Sequence, residues 1–577
     1  MQDETNIDNN SQRQTTLSHA DINEHVPNTK LNTTISIPSA SVDPTTNNSE
    51  SDTMINHTVF QYAFIRFWIF FLHAIAPLST AWTATLIGRA YLNSAWPRLT
   101  AFNIWCLAET AFFIFFLWYR RHLQREALHP PLRSREERKA IFDKVRGEVN
   151  DIEKFLQGWF RGAKVEDIGR EQLKSWLDWA FWDGRAGPED QEEMEGMVKD
   201  VESLIGKPLA EGTGTAKGLR LTLDPIEMEW RSLLWYACML VVDTTTHLRM
   251  MRYGMQYHGT SATTWKVFPP RPLAAATNVK TSEAESLSYW VRPHTSKTRH
   301  PMLFIHGIGV GLYPYVEFFH ELDMAQNSGR SDKDGEVGIL IVEILQTSSR
   351  LTHDILTRKD FLKQITMILD ANNYTRFTLV SHSYGSVLST HILTHPPLAS
   401  RVAATLLIDP VTVLLHMPDV AYNFTVKQPT TANEWQLWYF ASKDPGVAHT
   451  LGRHFFWTEN VLWREDIMKL INQNGMKMTA SLASRDLIVD TKSVGAYLME
   501  GGLPDPVLVE DDTKGKHMEL EIKGEKRQRQ EEWKTRNWKG EGLEVLWWDN
   551  LDHAQVFDAK TRRARLVEVL VEYSRMS

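Results

Sequence analysis

The second half of this 577-residue chain predicts an α/β fold, a mostly parallel sheet with helices on both faces. Short apolar runs rich in β-branched and aromatic residues recur after about residue 286, and helical stretches follow several of them. The runs are residues 287–291, 302–305, 337–342, 377–380, 403–408, 478–482 and 543–548. Continuous apolar strands separated by helices are typical of a parallel sheet covered on both sides. Reactive side chains are then expected on loops at the carboxyl ends of strands.

The composition excludes several classes of protein. Because 63 Lys+Arg stand against 71 Asp+Glu, a formal charge of −8, the chain has no global basic field and no nucleic-acid partner is expected. The two cysteines exclude a disulfide-stapled scaffold and a zinc site built from several thiolates. The 21 Trp and 25 Phe indicate large apolar surfaces facing a core, a bilayer or an apolar substrate.

The first 120 residues predict a polar tail and a membrane hairpin. Residues 1–55 are dominated by Asn, Thr, Ser and Asp without apolar periodicity, which predicts a disordered tail. Within 56–120, residues 67–87 carry no formal charge and residues 99–119 are interrupted only by Glu109. At 1.5 Å rise per residue, each segment could cross a hydrocarbon layer of ~30 Å.

The flanking charges predict an orientation for this hairpin. Arg120, Arg121 and Arg125 follow the second segment and favour a cytosolic main body, with the tail on the same side. A membrane location is expected, and the endoplasmic reticulum is the organelle assigned, although no targeting pattern selects it. The alternative is a pair of buried or monotopic helices, because His73 and Glu109 would each be costly in lipid unless paired.

A serine stands at a sharp turn between a predicted strand and a predicted helix. Residues 377–380 form the strand, and Ser381-His382-Ser383-Tyr384-Gly385 follows it. At such a turn the positions two before and two after the nucleophile must be small, because neighbouring backbone comes very close. Gly385 meets this demand, and Ser381 replaces the commoner glycine. Ser383 is therefore a candidate nucleophile.

A second motif precedes the serine by about 75 residues. The strand 302–305 leads into His306-Gly307, where an oxyanion loop is expected. With the motifs HGIGVGLYPY and LVSHSYGSV, the stretch from about residue 287 to the C-terminus resembles an α/β-hydrolase. Together with the two apolar segments, it resembles membrane-anchored fungal proteins of the α/β-hydrolase-1 type.

The resemblance implies a catalytic acid after a late strand and a histidine near the end of the chain. Asp486 follows the strand at 478–482, and His553 follows the last strand at 543–548. The order Ser383, Asp486, His553 agrees with the order of this fold. Asp409 is an alternative acid, and His517, in a charged segment, is a rival of His553.

The same resemblance places the oxyanion hole. The backbone N–H groups of Tyr384 and Ile308 are expected to hold the developing oxyanion. His306 and Gly307 are expected to shape the oxyanion loop rather than to transfer protons.

The domains follow from these assignments. We predict a helical region at 121–283 and an α/β-hydrolase domain at 284–577, with a helical cap at about 411–474 and a charged insertion at about 510–539. The cap is rich in aromatic residues, which either line an apolar pocket as a lid or pack within an ordinary helical subdomain.

The predicted function is a membrane-tethered serine hydrolase that cleaves carboxylic esters of lipid-derived substrates through an acyl-enzyme. An acyltransferase with the same triad, or an inactive hydrolase-fold scaffold, is the alternative. The expected partners are an acyl ester or lipid substrate and a membrane, and no cofactor or metal site is expected.

Overall fold

The computed structural model describes residues 58–93, 98, 100–328, 334–500 and 531–576. The predicted tail at 1–55, residues 510–530 of the predicted insertion and His517 lie outside the described residues.

The described residues contain one nine-stranded sheet with the strand order β2-β1-β3-β5-β4-β6-β7-β8-β9. The strands are β1 (Gln256–Gly259), β2 (Lys280–Thr281), β3 (Ser288–Arg292), β4 (Met302–Ile305), β5 (Ile339–Glu343), β6 (Phe377–His382), β7 (Val402–Ile408), β8 (Lys477–Ala483) and β9 (Leu543–Trp548). Strands β4 to β9 run parallel, and β3 is antiparallel to both β1 and β5. The predicted mostly parallel sheet is confirmed.

Alternate residues of the central strands enter two separate apolar clusters, one on each face of the sheet. On β4, Leu303 and Ile305 belong to one cluster, whereas Met302 and Phe304 belong to the other. Since successive side chains of a strand point to opposite faces, the uninterrupted apolar sequence of these strands follows from burial on both sides.

Two of the strands lie in the segment predicted to be helical. Strands β1 and β2 fall within 121–283, and β1 pairs with β3. Each is short, and β2 is exposed, so neither has the apolar run that marks the other strands. The sheet therefore begins before residue 284, and the domain division there stays a prediction.

Among the described residues, seven α-helices precede the first strand and thirteen follow it. The first group is α1 (Val59–Asn93), α2 (Ala101–Leu123), α3 (Arg135–Glu148), α4 (Ile152–Trp159), α5 (Arg170–Leu177), α6 (Gln191–Ile205) and α7 (Leu233–Arg252). The second group is α8 (Ser261–Thr264), α9 (Pro272–Ala276), α10 (Val316–Asn327), α11 (Arg358–Ala371), α12 (Gly385–Leu393), α13 (Pro396–Ala399), α14 (Pro418–Thr425), α15 (Ala432–Leu437), α16 (Pro445–His454), α17 (Trp457–Asn460), α18 (Arg464–Asn474), α19 (Thr491–Glu500) and α20 (Lys560–Tyr573).

Helices α3 to α6 enclose a core of their own that is rich in tryptophan. Trp159, Trp176, Trp179 and Trp182 are all buried there. The local sequence also fixes the start of α3, where Ser134 and Glu137 form a reciprocal capping box. This core needs no chemistry to explain its aromatic residues.

Helices α1 and α2 pack against each other and are each long and apolar enough to cross a membrane by length and composition. Many of their large apolar side chains face outward, including Phe60, Phe70 and Leu78 on α1 and Ile114 and Trp118 on α2. An outward apolar surface of this kind is typical of a helix that contacts lipid.

Two ionisable residues of these helices, Glu109 and His73, contact the rest of the protein instead. Glu109 is fully buried, and both of its carboxylate oxygens accept the backbone N–H of Leu233 at the first turn of α7 (2.9 and 3.1 Å). His73 lies 3.4 Å from the carboxylate of Glu229. A carboxylate at a helix N-terminus satisfies a backbone donor that the helix leaves unpaired. These two residues contact the rest of the protein rather than a lipid-facing surface.

The segment between β7 and β8 forms five helices, α14 to α18, at the position predicted for a cap. Two groups of its aromatic residues have different surroundings. Trp435, Trp438, Tyr439 and Phe440 pack against α1 and α7. Phe424 and Phe455 instead face a cavity beside Ser383.

Candidate active site

Ser383 occupies a strained turn between β6 and α12. Its φ is +51°, in the left-handed region that a non-glycine residue rarely adopts. Its backbone N–H donates to the carbonyl of Ile408 (2.9 Å), which holds the turn against the end of β7. Gly385 begins α12, and a Cβ added there would lie 2.3 Å from the carbonyl oxygen of Ile305. The close approach of β4 therefore requires glycine at this position.

Ser381, on the other side of the nucleophile, is fully buried in β6. Its hydroxyl has no hydrogen-bond partner in the described part of the chain. The position therefore has room for a serine side chain, but the buried hydroxyl of Ser381 is left without a hydrogen bond.

The structure brings Ser383, His553 and Asp486 into one hydrogen-bonded chain. The Nε2 atom of His553 lies 2.8 Å from the Oγ of Ser383, and its Nδ1 lies 2.7 Å from the Oδ2 of Asp486. The Asp486 side chain is fully buried, and its Oδ1 accepts the backbone N–H groups of Ile488 (2.8 Å) and Val489 (3.0 Å). The carboxylate is held in place to orient the imidazole of His553.

The electrostatic environment raises the pKa of His553. Burial alone lowers it, but the charge of Asp486, the hydrogen bond to Asp486, and then the charges of Asp409 and Asp552 together raise it above its ordinary value of 6.5. These carboxylates stabilise the imidazolium, the form that a general base adopts once it has taken a proton.

Asp409, the alternative acid, lies beside this chain but is bonded elsewhere. Its Oδ1 accepts the N–H of Ala483 (3.2 Å), and its Oδ2 accepts the N–H of Ala554 (2.9 Å), the residue after His553. A carboxylate oxygen of Asp409 lies within 4.8 Å of ligand atoms of Asp486 and His553. Burial raises the pKa of Asp409. The charge of His553 lowers this pKa and the charge of Asp486 raises it, and the net shift is upward. Asp409 therefore positions the loop that carries the histidine.

Two backbone N–H groups are free beside the nucleophile. Among the described residues, neither the N–H of Tyr384 nor that of Ile308 donates to any hydrogen-bond acceptor. Both residues line the same cavity as Ser383. Free donors at this position are able to bind an oxyanion.

His306 and Gly307 fix the loop that carries Ile308. The Nε2 of His306 accepts the N–H of Ile344 (2.8 Å), and its Nδ1 lies 2.7 Å from the carbonyl of Gly307. His306 is buried, and burial lowers its pKa. A Cβ on Gly307 would lie 2.7 Å from the Cβ of Ser383, so only glycine lets the loop approach the nucleophile this closely.

The cavity beside Ser383 is almost entirely apolar. Its walls come from the cap, the oxyanion loop and the helical region, and include Leu221, Ile308, Val420, Phe424, Leu451 and Phe455. Such a cavity fits a hydrocarbon group next to a reactive serine.

Three residues of the site escaped the sequence analysis as functional positions. Asp552 accepts the N–H groups of His553 (2.7 Å) and Leu487 (3.1 Å), and so joins the acid loop to the histidine loop. The hydroxyl of Tyr315 lies 2.7 Å from the Nδ1 of His382, beneath the nucleophile. Asp552 directly precedes His553, and Tyr315 and His382 stand within the two motifs described above. Their contacts join segments 65 and 67 positions apart, which the local sequence does not reveal.

Comparison with known proteins identifies no family for this chain. No family model matches the chain, and no curated protein matches it. A carboxylesterase from Nitrososphaera gargenis is 14% identical, with a TM-score of 0.28 over 50% of this chain and 96% of that chain. The naproxen esterase of Bacillus subtilis is 12% identical, with a TM-score of 0.29 over 49% and 87%. A bacterial membrane phospholipase A, a virulence factor, is 11% identical, with a TM-score of 0.34 over 66% and 99%.

At such identities and TM-scores, these likenesses carry no argument about activity or substrate. The fold is nevertheless clear from the molecule itself: the sheet order, the antiparallel β3, and the strained serine between β6 and α12 are those of an α/β-hydrolase fold.

Proposed function

We propose that the protein is a membrane-tethered serine hydrolase that cleaves carboxylic esters of lipid-derived substrates. The observation that carries this proposal is the hydrogen-bonded chain from Ser383 through His553 to Asp486. A serine hydroxyl is a poor nucleophile until a base accepts its proton, and this chain supplies both the base and the carboxylate that orients it.

In the proposed mechanism, the Oγ of Ser383 attacks the ester carbonyl while its proton passes to the Nε2 of His553. The N–H groups of Tyr384 and Ile308 stabilise the oxyanion, an effect worth roughly 2.7–4 kcal/mol for each donor. His553 then protonates the leaving alcohol, which leaves an acyl-enzyme on Ser383. Water, deprotonated by the same imidazole, then attacks the acyl carbonyl. The bond to the Ser383 Oγ breaks, His553 returns the proton to that oxygen, and the acid is released.

The cavity and the two long helices support a lipid-derived substrate. The acyl group would occupy the apolar cavity lined by Phe424, Leu451 and Phe455. Helix α16, which carries Leu451, is tied to the end of α2, because Arg453 donates to the backbone carbonyl of Arg125 (2.6 Å). The cavity therefore lies close to helices whose outward apolar side chains suit a bilayer.

In the proposed arrangement, α1 and α2 cross the membrane as a hairpin and the hydrolase domain faces the cytosol. The buried contacts of His73 and Glu109 remove the objection that these groups would be unpaired in lipid. The arginines that follow α2 favour the cytosolic side.

Labelling with a fluorophosphonate probe tests the nucleophile. The wild-type protein, Ser383→Ala and the control Ser400→Ala, which removes an exposed hydroxyl, would be labelled in native membranes. We expect labelling of the wild type and of Ser400→Ala, and none of Ser383→Ala. Labelling that survives in Ser383→Ala would contradict the assignment, and labelling of none would favour an inactive scaffold.

Product analysis then separates a hydrolase from an acyltransferase with the same triad. The purified protein would be given a lipid ester with and without an added long-chain alcohol. We expect the free acid as the main product in both cases, whereas a new ester in the presence of the alcohol would show acyl transfer. A lipid profile of cells lacking the protein would identify the natural substrate.

A further inference from the structure

A second group of reactive side chains lies outside the proposed active site. His449 and His454 occupy α16, and Asp354 lies in the loop between β5 and α11. One ligand atom from each of the three residues lies within 4.8 Å of the other two. The imidazole rings of the two histidines are 5.1 Å apart between centroids, and the Nδ1 of His449 is 3.8 Å from the Oδ1 of Asp354.

These side chains have no other partner to explain their convergence. In the described part of the chain, no hydrogen bond shorter than 3.5 Å engages either imidazole or the Asp354 carboxylate. The His449 side chain is 12% exposed, whereas that of Asp354 is 58% exposed. The group is therefore enclosed on the histidine side and open to solvent on the carboxylate side.

The chemistry of the three donors suits one kind of ligand. Two imidazole nitrogens and one carboxylate oxygen form a set that binds divalent transition metals, whereas Mg²⁺ and Ca²⁺ prefer oxygen donors alone. Tetrahedral zinc holds its donors about 3.3 Å apart, given bonds of about 2.0–2.1 Å. The 3.8 Å between the Nδ1 of His449 and the Oδ1 of Asp354 is about 0.5 Å longer than this spacing.

We propose that His449, His454 and Asp354 form a zinc-binding site, with solvent completing the coordination at the exposed side. The site is separate from Ser383 and requires neither the proposed activity nor its substrate. Two histidines five positions apart on a helix meet at its C-terminal end, and the third ligand comes from a loop almost one hundred residues earlier, which explains why no sequence motif announces the site.

Bound zinc would fasten α16 to the loop that carries Asp354. That loop is already attached on its other side, because Leu351 pairs with Phe268 and the hydroxyl of Tyr119 on α2 reaches the carbonyl of Thr352 (3.5 Å). The turn of α16 between the two histidines carries Leu451, which lines the cavity beside Ser383. The ion would thus stabilise one wall of that cavity.

Metal binding to the full-length protein in detergent tests this proposal. The chelator-treated protein would be titrated with Zn²⁺ by calorimetry and with Co²⁺ by visible absorption, which reports tetrahedral nitrogen and oxygen ligation. The variants are His454→Ala and Asp354→Asn. The control is His320→Ala. His320 lies on α10, away from α16, and its half-buried imidazole stacks on Tyr253.

We expect one equivalent of zinc in the wild type and in His320→Ala. Affinity should fall at least about tenfold in His454→Ala and in Asp354→Asn, since even outer-shell partners of a metal contribute that much. Circular dichroism would verify the folding of each variant. Asp354→Asn is expected to fold, because the aspartate side chain is largely exposed. This variant therefore tests the site even if His454→Ala does not fold.

Two results would overturn the proposal. One is a wild type that binds no zinc. The other is an Asp354→Asn variant that binds zinc as tightly as the wild type, which would place the ion elsewhere in the chain. Neither result bears on Ser383, because fluorophosphonate labelling is measured separately.

Discussion

The substitution Gly385→Ala adds one methyl group at the point where α12 meets the end of β4. The new Cβ would lie 2.3 Å from the carbonyl oxygen of Ile305 and 2.9 Å from that of His306. Ordinary contact begins at 3.4 Å, and the obstructing atoms are backbone, so α12 or β4 must move by about 1.1 Å. Ser383 lies two residues before the added methyl and must move with it.

A displacement of this size would break the 2.8 Å hydrogen bond between Ser383 and His553. Misplacing reacting groups by about 1 Å costs about 10²-fold in rate, and overpacking costs about 1–3 kcal/mol of folding free energy. We therefore expect kcat/KM for a chromogenic ester to fall at least about 10²-fold in Gly385→Ala. The denaturant concentration at the midpoint of unfolding should also be lower than in the wild type.

Gly147→Ala is the matched control, because a Cβ at this exposed position of α3 meets no atom within 4 Å. That variant should keep its activity and gain about 0.5–1 kcal/mol of stability, since alanine is the better helix former. If Gly385→Ala hydrolyses the ester as fast as the control does, the elbow does not hold the nucleophile and the reasoning is refuted.

Four further predictions concern the same site. In Asp486→Asn, ester hydrolysis should fall by about 10³–10⁴-fold in kcat because an amide favours the wrong tautomer of His553, and unchanged turnover would exclude Asp486 as the acid. Ser381→Ala should raise the free energy of unfolding by about 1 kcal/mol, measured in denaturant, because it removes an unsatisfied buried hydroxyl, and a loss of stability would show that the hydroxyl has a partner. The base form of His553 must be neutral and its pKa is raised, so kcat/KM should rise with pH through a midpoint above 6.5. In Asp409→Asn, one of the carboxylates that raise this pKa is removed, so the midpoint should move to lower pH, and an unmoved profile would contradict the electrostatic argument.

The sheet could be read from the sequence because its physical cause is local. All seven apolar runs that were predicted as strands correspond to β3 to β9, since strands buried on both faces must be continuously apolar. Strands β1 and β2 escape prediction because they are short. Strand β1 has four residues, and β2 has only two residues, which are exposed. Their pairing depends on β3, which the local sequence does not reveal.

The candidate site shows the same division between local and distant causes. The serine elbow is local, because the small residues around Ser383 and the flanking strand and helix are contiguous. The hydrogen bonds of Asp409 depend on Ala483 and Ala554, 74 and 145 positions away, so the sequence could only leave it open as an alternative acid. The cap illustrates the limit most clearly, because nothing in its aromatic composition tells which rings face α1 and which face Ser383.

The buried carboxylate on the second long helix has a practical consequence for anyone preparing this protein. Glu109 satisfies the backbone of Leu233, and the same hairpin covers Tyr236, which is 1% exposed and packs against Phe112. A truncated chain that starts after α2 would lose the carboxylate that pairs with the N–H of Leu233 and would expose Tyr236 to water. Helices α1 and α2 thus pack as part of the globular body, and purification should begin from the intact polypeptide.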